Sequence, residues 1–199
     1  MVEKNLYRFP CTVFDFDGVL VKLDVDWSAF KADVRQAIAT KYDYTGDLHS
    51  FSEELNQAVG LFGGEMRTMA SEILRRHECP GGTPKFKPLE HIWAILSRHP
   101  GRFAIASNNS RQTIAKVLSI LNRADQFEWV IGFEDVKYSK PHPEGLMMLI
   151  DRFGCKPDDI LFVGDRETDS TAARAAGVPF AYVADYALSA LELEREQRP

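Results

Sequence analysis

The chain has 199 residues, 45% hydrophobic and 27% charged, with a formal net charge of −5. This suits one sizeable globular domain with an insertion, or two small ones, and the acidic balance argues against a general nucleic-acid binder, which needs a concentrated basic surface. No run of about 18 apolar residues occurs, so no membrane span is expected, and Met1 to Pro10 lacks the apolar centre of a signal peptide. A small anionic substrate stays compatible, because one local cation and a metal ion can reverse the field inside a pocket.

Three cysteines, Cys11, Cys79 and Cys155, are odd in number and far apart, without CxxC or metal-ligand spacing. They predict reduced thiols in a cytoplasmic protein rather than a disulfide framework or a zinc site.

In chain order, Cys11 to Phe16 is a short apolar run ending in Asp-Phe-Asp-Gly, a buried strand that breaks into a turn. From Trp27 to Tyr42 the period becomes helical, with Trp27, Phe30, Val34 and Ile38 on one face and Asp26 or Ser28 available as N-cap. Further helices are predicted over 51–61 and 65–77, with Gly63-Gly64 as a turn between them, before the breaker cluster Cys79-Pro-Gly-Gly-Thr-Pro. Helices near 88–98, 110–121, 143–153 and 168–176 then alternate with apolar runs at Phe103–Ala106, Trp129–Phe133, Ile160–Val163 and Phe180–Val183. That alternation predicts an α/β architecture, a parallel sheet covered by helices on both faces. Residues 22–84 show no convincing strand and read as a helical insertion after the first strand, and Ala187 to Arg198 reads as a fraying terminal helix.

Three polar clusters end predicted strands: Asp15-Phe16-Asp17-Gly18, Ser107-Asn108-Asn109-Ser110, and Gly164-Asp165-Arg166-Glu167-Thr168-Asp169. Open parallel sheets bind ligands beyond the carboxyl ends of their strands, so these segments are expected to converge. An isolated Asp-x-Asp is usually a solvated turn, and Asp165 or Asp169 alone would be ordinary helix capping. Four acids at strand ends instead suggest a hard divalent cation, magnesium above others. Lys140, between Ser139 and Pro141, is a candidate cation for a phosphate group. Ser107 and the amides after it are candidate donors at a helix start, where Asn108 or Ser110 could equally be a simple N-cap.

Taken together the motifs resemble those of the haloacid dehalogenase-like hydrolases, specifically phosphatases with a helical cap after the first motif. Asp15-Phe16-Asp17-Gly18-Val19-Leu20, Ser107, Lys140 before proline, and Gly164-Asp165-x-x-x-Asp169 match the four motifs in order. The resemblance implies a three-layer Rossmann-like core over residues 1–21 and 85–199 with a helical cap over 22–84. It implies Asp15 as nucleophile forming an aspartyl-phosphate, and Asp17 as general acid and base. Ser107, Asn108 and Lys140 would bind the phosphoryl group, and Mg2+ would be held by Asp15, Asp17 through its backbone carbonyl, Asp165 and Asp169. The expected reaction is hydrolysis of a small phosphorylated metabolite, phosphoglycolate-phosphatase-like, with neither nucleic acid nor membrane as partner and the oligomeric state open.

Arg166 departs from the small hydroxylic residue common at its position, and Val21 to Trp27 lacks the Asp-Ser that often follows motif one. Hinges are expected near Val21–Val25 and Cys79–Lys85. Arg67, Arg75 and Arg76 are candidates for an anionic group, with a solvated helix face as the default. A sugar phosphomutase and a non-catalytic phosphate-binding or signalling module are the alternatives. A dehalogenase is disfavoured by the acid at Asp17 alongside the metal acids.

Overall fold

The computed structural model describes residues 9–46, 50–98 and 101–196, with side chains through residue 190. The signal-peptide reading of residues 1–8 and the last three residues of the tail lie outside these.

The first apolar run forms β1 (Cys11–Phe14), buried at every position. The chain then leaves the sheet through β2 (Val21–Leu23), α1 (Trp27–Tyr42) and α2 (Phe51–Glu78), and returns through β3 (Phe86–Pro88). Next come α3 (Glu90–Arg98), β4 (Arg102–Ala106), α4 (Arg111–Ile120), β5 (Trp129–Ile131), α5 (Glu144–Phe153), β6 (Ile160–Gly164), α6 (Glu167–Ala176), β7 (Phe180–Tyr182) and α7 (Val183–Glu196). Five strands make one sheet in the order β5-β4-β1-β6-β7, all parallel.

Side-chain alternation along the strands creates the three layers. Phe14, Ile105 and Val163 face one side, where they pack with Ile92 of α3, Ile114 of α4 and Tyr186 of α7. Val13, Ala104 and Phe162 face the other, against Leu149 of α5 and Ala172 of α6. Because β1 is central, the chain end it carries lies where neighbouring crossovers diverge, the usual ligand crevice of such sheets.

The inserted stretch has its own apolar cluster, in which Phe30, Val34 and Ile38 of α1 meet Leu55, Met66, Ala70 and Leu74 of α2. Asp26 is the cap of α1, its Oδ1 accepting from Ser28 N at 3.0 Å and Ala29 N at 2.9 Å. The turn expected at Gly63-Gly64 is present: the 28 residues of α2 are two helices joined across a kink at Gly63, whose φ of 74° and ψ of −155° need a residue without Cβ. One expectation changes. The stretch expected to lack strands starts on one: β2 pairs antiparallel with β3, making a two-stranded ribbon where the insertion leaves and rejoins the core.

Polar residues on the buried side of α2 tie it to the core. Asn56 donates through Nδ2 to Ser139 O (2.7 Å) and accepts from Ser139 N (2.8 Å). Arg67 is buried, donates to Phe133 O and to Ser139 Oγ, and lies over the Phe133 ring. Glu78, 1% exposed, accepts from Asn109 Nδ2 at 2.7 Å and from Ser110 N at 3.1 Å. Burial pushes its carboxyl up from 4.5 to about 7 against those donors, with Glu134 adding to the rise.

In the unfolded chain Glu78 releases its proton near 4.5, whereas folded it holds the proton to about 7. This contribution is therefore complete below 4.5 and is lost as pH rises through about 7. Denaturant unfolding followed across that range is expected to show Glu78→Gln with the flatter pH dependence, by on the order of 3 kcal/mol.

Candidate active site

The site begins where β1 stops. Asp15 N still bonds to Val163 O of β6 at 2.9 Å, but the next residues turn, with Leu20 N and Val21 N both donating to Phe16 O. The turn passes through Gly18 at φ +91°, and a Cβ there would lie 2.1 Å from Asp165 Oδ2. Glycine is thus required both by conformation and by the close approach of the β6 loop. Asp17 is buried beyond the turn, and its Oδ1 accepts from Leu23 N of β2 at 2.8 Å. Its Oδ2 has no hydrogen-bond partner among the described residues; Arg166 Nη2 stands 3.7 Å away.

Lys140 is the centre of the arrangement. Its Nζ lies 2.9 Å from Asp15 Oδ1 and 2.6 Å from Asp169 Oδ1, and it donates to Ala106 O at 3.0 Å. Burial alone would lower the ammonium, but the two carboxylates together carry it above its ordinary value. Asp15, equally buried, is pushed up to about 6 by desolvation, with Lys140 opposing the rise and Asp169 adding to it. Asn108 holds this lysine by its backbone: its Oδ1 accepts from Lys140 N (2.9 Å) and its Nδ2 donates to Lys140 O (3.0 Å).

Ser107 follows β4, with its N–H bonded to Ile131 O at 2.9 Å. Its hydroxyl donates to Asn109 Oδ1 at 2.8 Å and also lies against Asp15, whose pKa it helps lower. Asn109 in turn donates to Glu78, so a chain of contacts runs from the end of α2 to the Ser107 hydroxyl. Of the amides expected to face a ligand, Asn109 N donates to Ser107 Oγ and Ser110 N to Glu78. Ser110, not Asn108, caps α4, accepting from Gln112 N.

Of the readings of Asp169, helix capping applies to one oxygen, and the other pairs with Lys140. Oδ2 accepts from Arg166 N at 3.0 Å and Asp165 N at 3.2 Å, which is helix capping, while Oδ1 faces Lys140. Asp165 is half-buried, its Oδ1 has no hydrogen-bond partner among the described residues, and burial raises its pKa with Arg166 opposing. Carboxylate oxygens of Asp15, Asp165 and Asp169 lie within 4.8 Å of one another. An unpartnered buried carboxylate oxygen in an all-oxygen donor set fits a hard divalent cation such as Mg2+.

The other candidates divide. Arg166 is half-exposed, with Nε 3.8 Å from Asp165 Oδ2, and it lines the cavity above the acids. Arg67 belongs to the attachment of α2 and not to a solvated face. Arg75 and Arg76 line a separate outer groove with Lys116. The cavity itself holds about 630 Å³ and lies between the strand ends and α1–α2.

Residues 12–183 match the family described as "Haloacid dehalogenase-like hydrolase". The chain belongs to that family. It is 36% identical over 98 residues to a phosphoglycolate phosphatase of Photorhabdus laumondii, covering 49% of this chain and 42% of that protein. It is 31% identical over 145 residues to phosphoglycolate phosphatase 1 of Pseudomonas aeruginosa, covering 73% of this chain and 48% of that one. The chain thus spans about half or less of the length of these relatives. A haloacid dehalogenase-like hydrolase structure from Bacteroides fragilis superposes with a TM-score of 0.59 at 26% identity, covering 86% of each chain.

Within this family frame, sequence reasoning missed Glu78, Asn109, Asn56 and the Leu23 amide, which position motif residues without themselves being motif residues. A signal existed for three of them: buried polar side chains on the core-facing side of α2, and a second asparagine directly after Asn108. Removing Lys140 leaves two buried carboxylates without their cation. In chelator-containing buffer Lys140→Ala is expected to lose on the order of 3 kcal/mol at pH 8. The loss should shrink as pH falls from 8 toward about 6, because Asp15 without Lys140 to oppose its rise takes up a proton at higher pH than in the wild type, in urea unfolding at a series of pH values.

Proposed function

We propose that the protein is a Mg2+-dependent phosphatase that hydrolyses small phosphate monoesters through an aspartyl-phosphate on Asp15, in the manner of a phosphoglycolate phosphatase. The observation that carries this reading is the convergence on Asp15 of a buried cation, Lys140, a hydroxyl, Ser107, and two further acids, Asp165 and Asp169. An isolated carboxylate nucleophile needs its charge held and its target aligned, and these neighbours can do both.

In this reading Lys140 and the Ser107 hydroxyl, with the Asn108 amide, hold the phosphoryl oxygens while Asp15 attacks phosphorus. Asn108 contributes a second way, by fixing the backbone of Lys140. Asp17 keeps Oδ1 on the Leu23 amide and offers Oδ2, which no hydrogen bond occupies, to protonate the leaving alcohol and then to take a proton from the attacking water. Asp15, Asp165 and Asp169 with the Asp17 carbonyl would hold Mg2+, which supplies charge neutralisation for the phosphoryl group when bound. Residues 22–84 act as a cap over the site, with the β2–β3 ribbon as the connection across which it moves and excludes water. Among the described residues no helix is long and apolar enough to cross a membrane. The three free thiols suit a reducing compartment such as the cytoplasm.

Chelation should abolish turnover of phosphomonoesters and added Mg2+ restore it. Asp15→Asn is expected to lower kcat by about 10³-fold or more. With an aryl phosphate whose leaving group needs no proton, such as p-nitrophenyl phosphate, Asp17→Asn should retain one added phosphoryl group, seen by intact-protein mass spectrometry and absent in Asp15→Asn. If a broad monoester panel with Mg2+ yields no phosphate from the wild type, the reading is wrong.

A further inference from the structure

The wall of the cavity facing the catalytic acids differs in kind from its floor. The floor is charged, with Asp15, Asp17, Asp169, Lys140 and Arg166; the facing wall is built from Trp27, Phe30, Phe51, Leu55 and Leu74, with Lys31 its one charged side chain. Trp27, Phe30 and Phe51 form a continuous edge-to-face array, with ring centroids 5.9 Å apart for Trp27–Phe30 and 5.4 Å for Phe30–Phe51. Phe30 is buried at its centre, whereas Trp27 and Phe51 are only half-buried and border the open space. Arg35, itself paired with Glu54, lies 5.6 Å from the Phe51 centroid and Lys31 Nζ 5.9 Å from it, so that half-buried ring is braced.

This space is what remains with α2 already attached. Asn56, Arg67 and Glu78 all reach core partners, so the cavity does not result from a detached insertion. At about 630 Å³ the cavity is of the size that takes a whole small-molecule ligand, and it leaves room beyond the phosphoryl group for more than a two-carbon acid. Along the α1–α2 wall a carboxylate would meet mainly apolar surface, with Lys31 alone to replace its hydration, since Arg166 stands on the floor beside Asp17 and Asp165. Rigid aromatic edges with a few polar groups at the margin, here Ser50 and Ser52, are the surroundings that a planar ring fills well.

We infer that the substrate's leaving alcohol carries a planar aromatic or heteroaromatic ring, seated against Trp27 and Phe51 and joined to the ester by a short linker. This rests on the phosphatase reading of the same site and narrows it to a substrate class. The ring supplies binding remote from phosphorus, and its selectivity is separable from the chemistry at Asp15.

The test compares esters with the same primary-alcohol linkage, so that intrinsic reactivity is matched: uridine and adenosine 5′-monophosphates against ribose 5-phosphate, with phosphoglycolate as third substrate. Steady-state kinetics of the full chain with Mg2+ should give kcat/KM at least about tenfold higher for a nucleotide than for ribose 5-phosphate or phosphoglycolate. Trp27→Ala and Phe51→Ala should each bring the nucleotide-to-ribose-phosphate ratio down several-fold, with circular dichroism confirming the fold. If one variant fails to fold, the other carries the comparison. Turnover of ribose 5-phosphate or phosphoglycolate equal to or better than that of both nucleotides overturns the inference and leaves the phosphatase reading standing. A ratio that neither folded variant changes overturns the ring's placement. No turnover of any of these esters, or of a broad monoester panel, removes the phosphatase reading and the inference with it.

Discussion

One buried ammonium organises this molecule. Lys140 Nζ lies between Asp15 at the end of β1 and Asp169 in the first turn of α6, with Ala106 O of β4 as third partner. Each of these charges would be costly alone in a site this enclosed, and each is tolerable only because the others are present. The loop bearing Lys140 must therefore sit over the strand ends, and the side chain of Asn108 keeps it there from both sides of the Lys140 peptide. Asp165 Oδ1 and Asp17 Oδ2 have no hydrogen-bond partner among the described residues, with the Arg166 guanidinium standing near these two acids.

The inserted helices are part of the same construction. Asn56 bonds both polar groups of the Ser139 backbone, one residue before Lys140. Glu78 holds Asn109, which accepts from the Ser107 hydroxyl, and Leu23 of the connecting ribbon holds Asp17. Any displacement of α2 or β2 therefore reaches Ser107, the lysine loop and Asp17 through hydrogen bonds rather than through loose packing. That coupling gives a physical route by which seating a leaving group on the α1–α2 wall could align groups at the other end of the substrate.

The Cys11–Phe14 strand, the apolar face of α1 and the strand–helix alternation after residue 88 were all readable, because burial imposes its period directly on the order of residues. So were Asp15, Asp17, Ser107, Lys140, Asp165 and Asp169, since each lies at a strand end or turn with a fixed local spacing. The break between two helices at Gly63 was readable too, because paired glycines mark a departure from helical geometry, and the backbone there is non-helical. The β2–β3 ribbon was not visible: three residues pair with a segment more than sixty positions away, and so short a strand has no detectable period.

By itself, then, the sequence determined the α/β sheet and the four motifs in order, because these depend on local periodicity and on residue type. Only the tertiary structure decided that Asn108 serves Lys140 by its side chain, that Asp169 caps a helix with one oxygen and pairs a lysine with the other, and that Glu78 reaches Ser107 through Asn109. It also decided which aromatic residues of the insertion face the cavity. These are pairings across dozens of residues, chosen by how buried polar groups find partners once the chain is compact, and no local pattern encodes that choice.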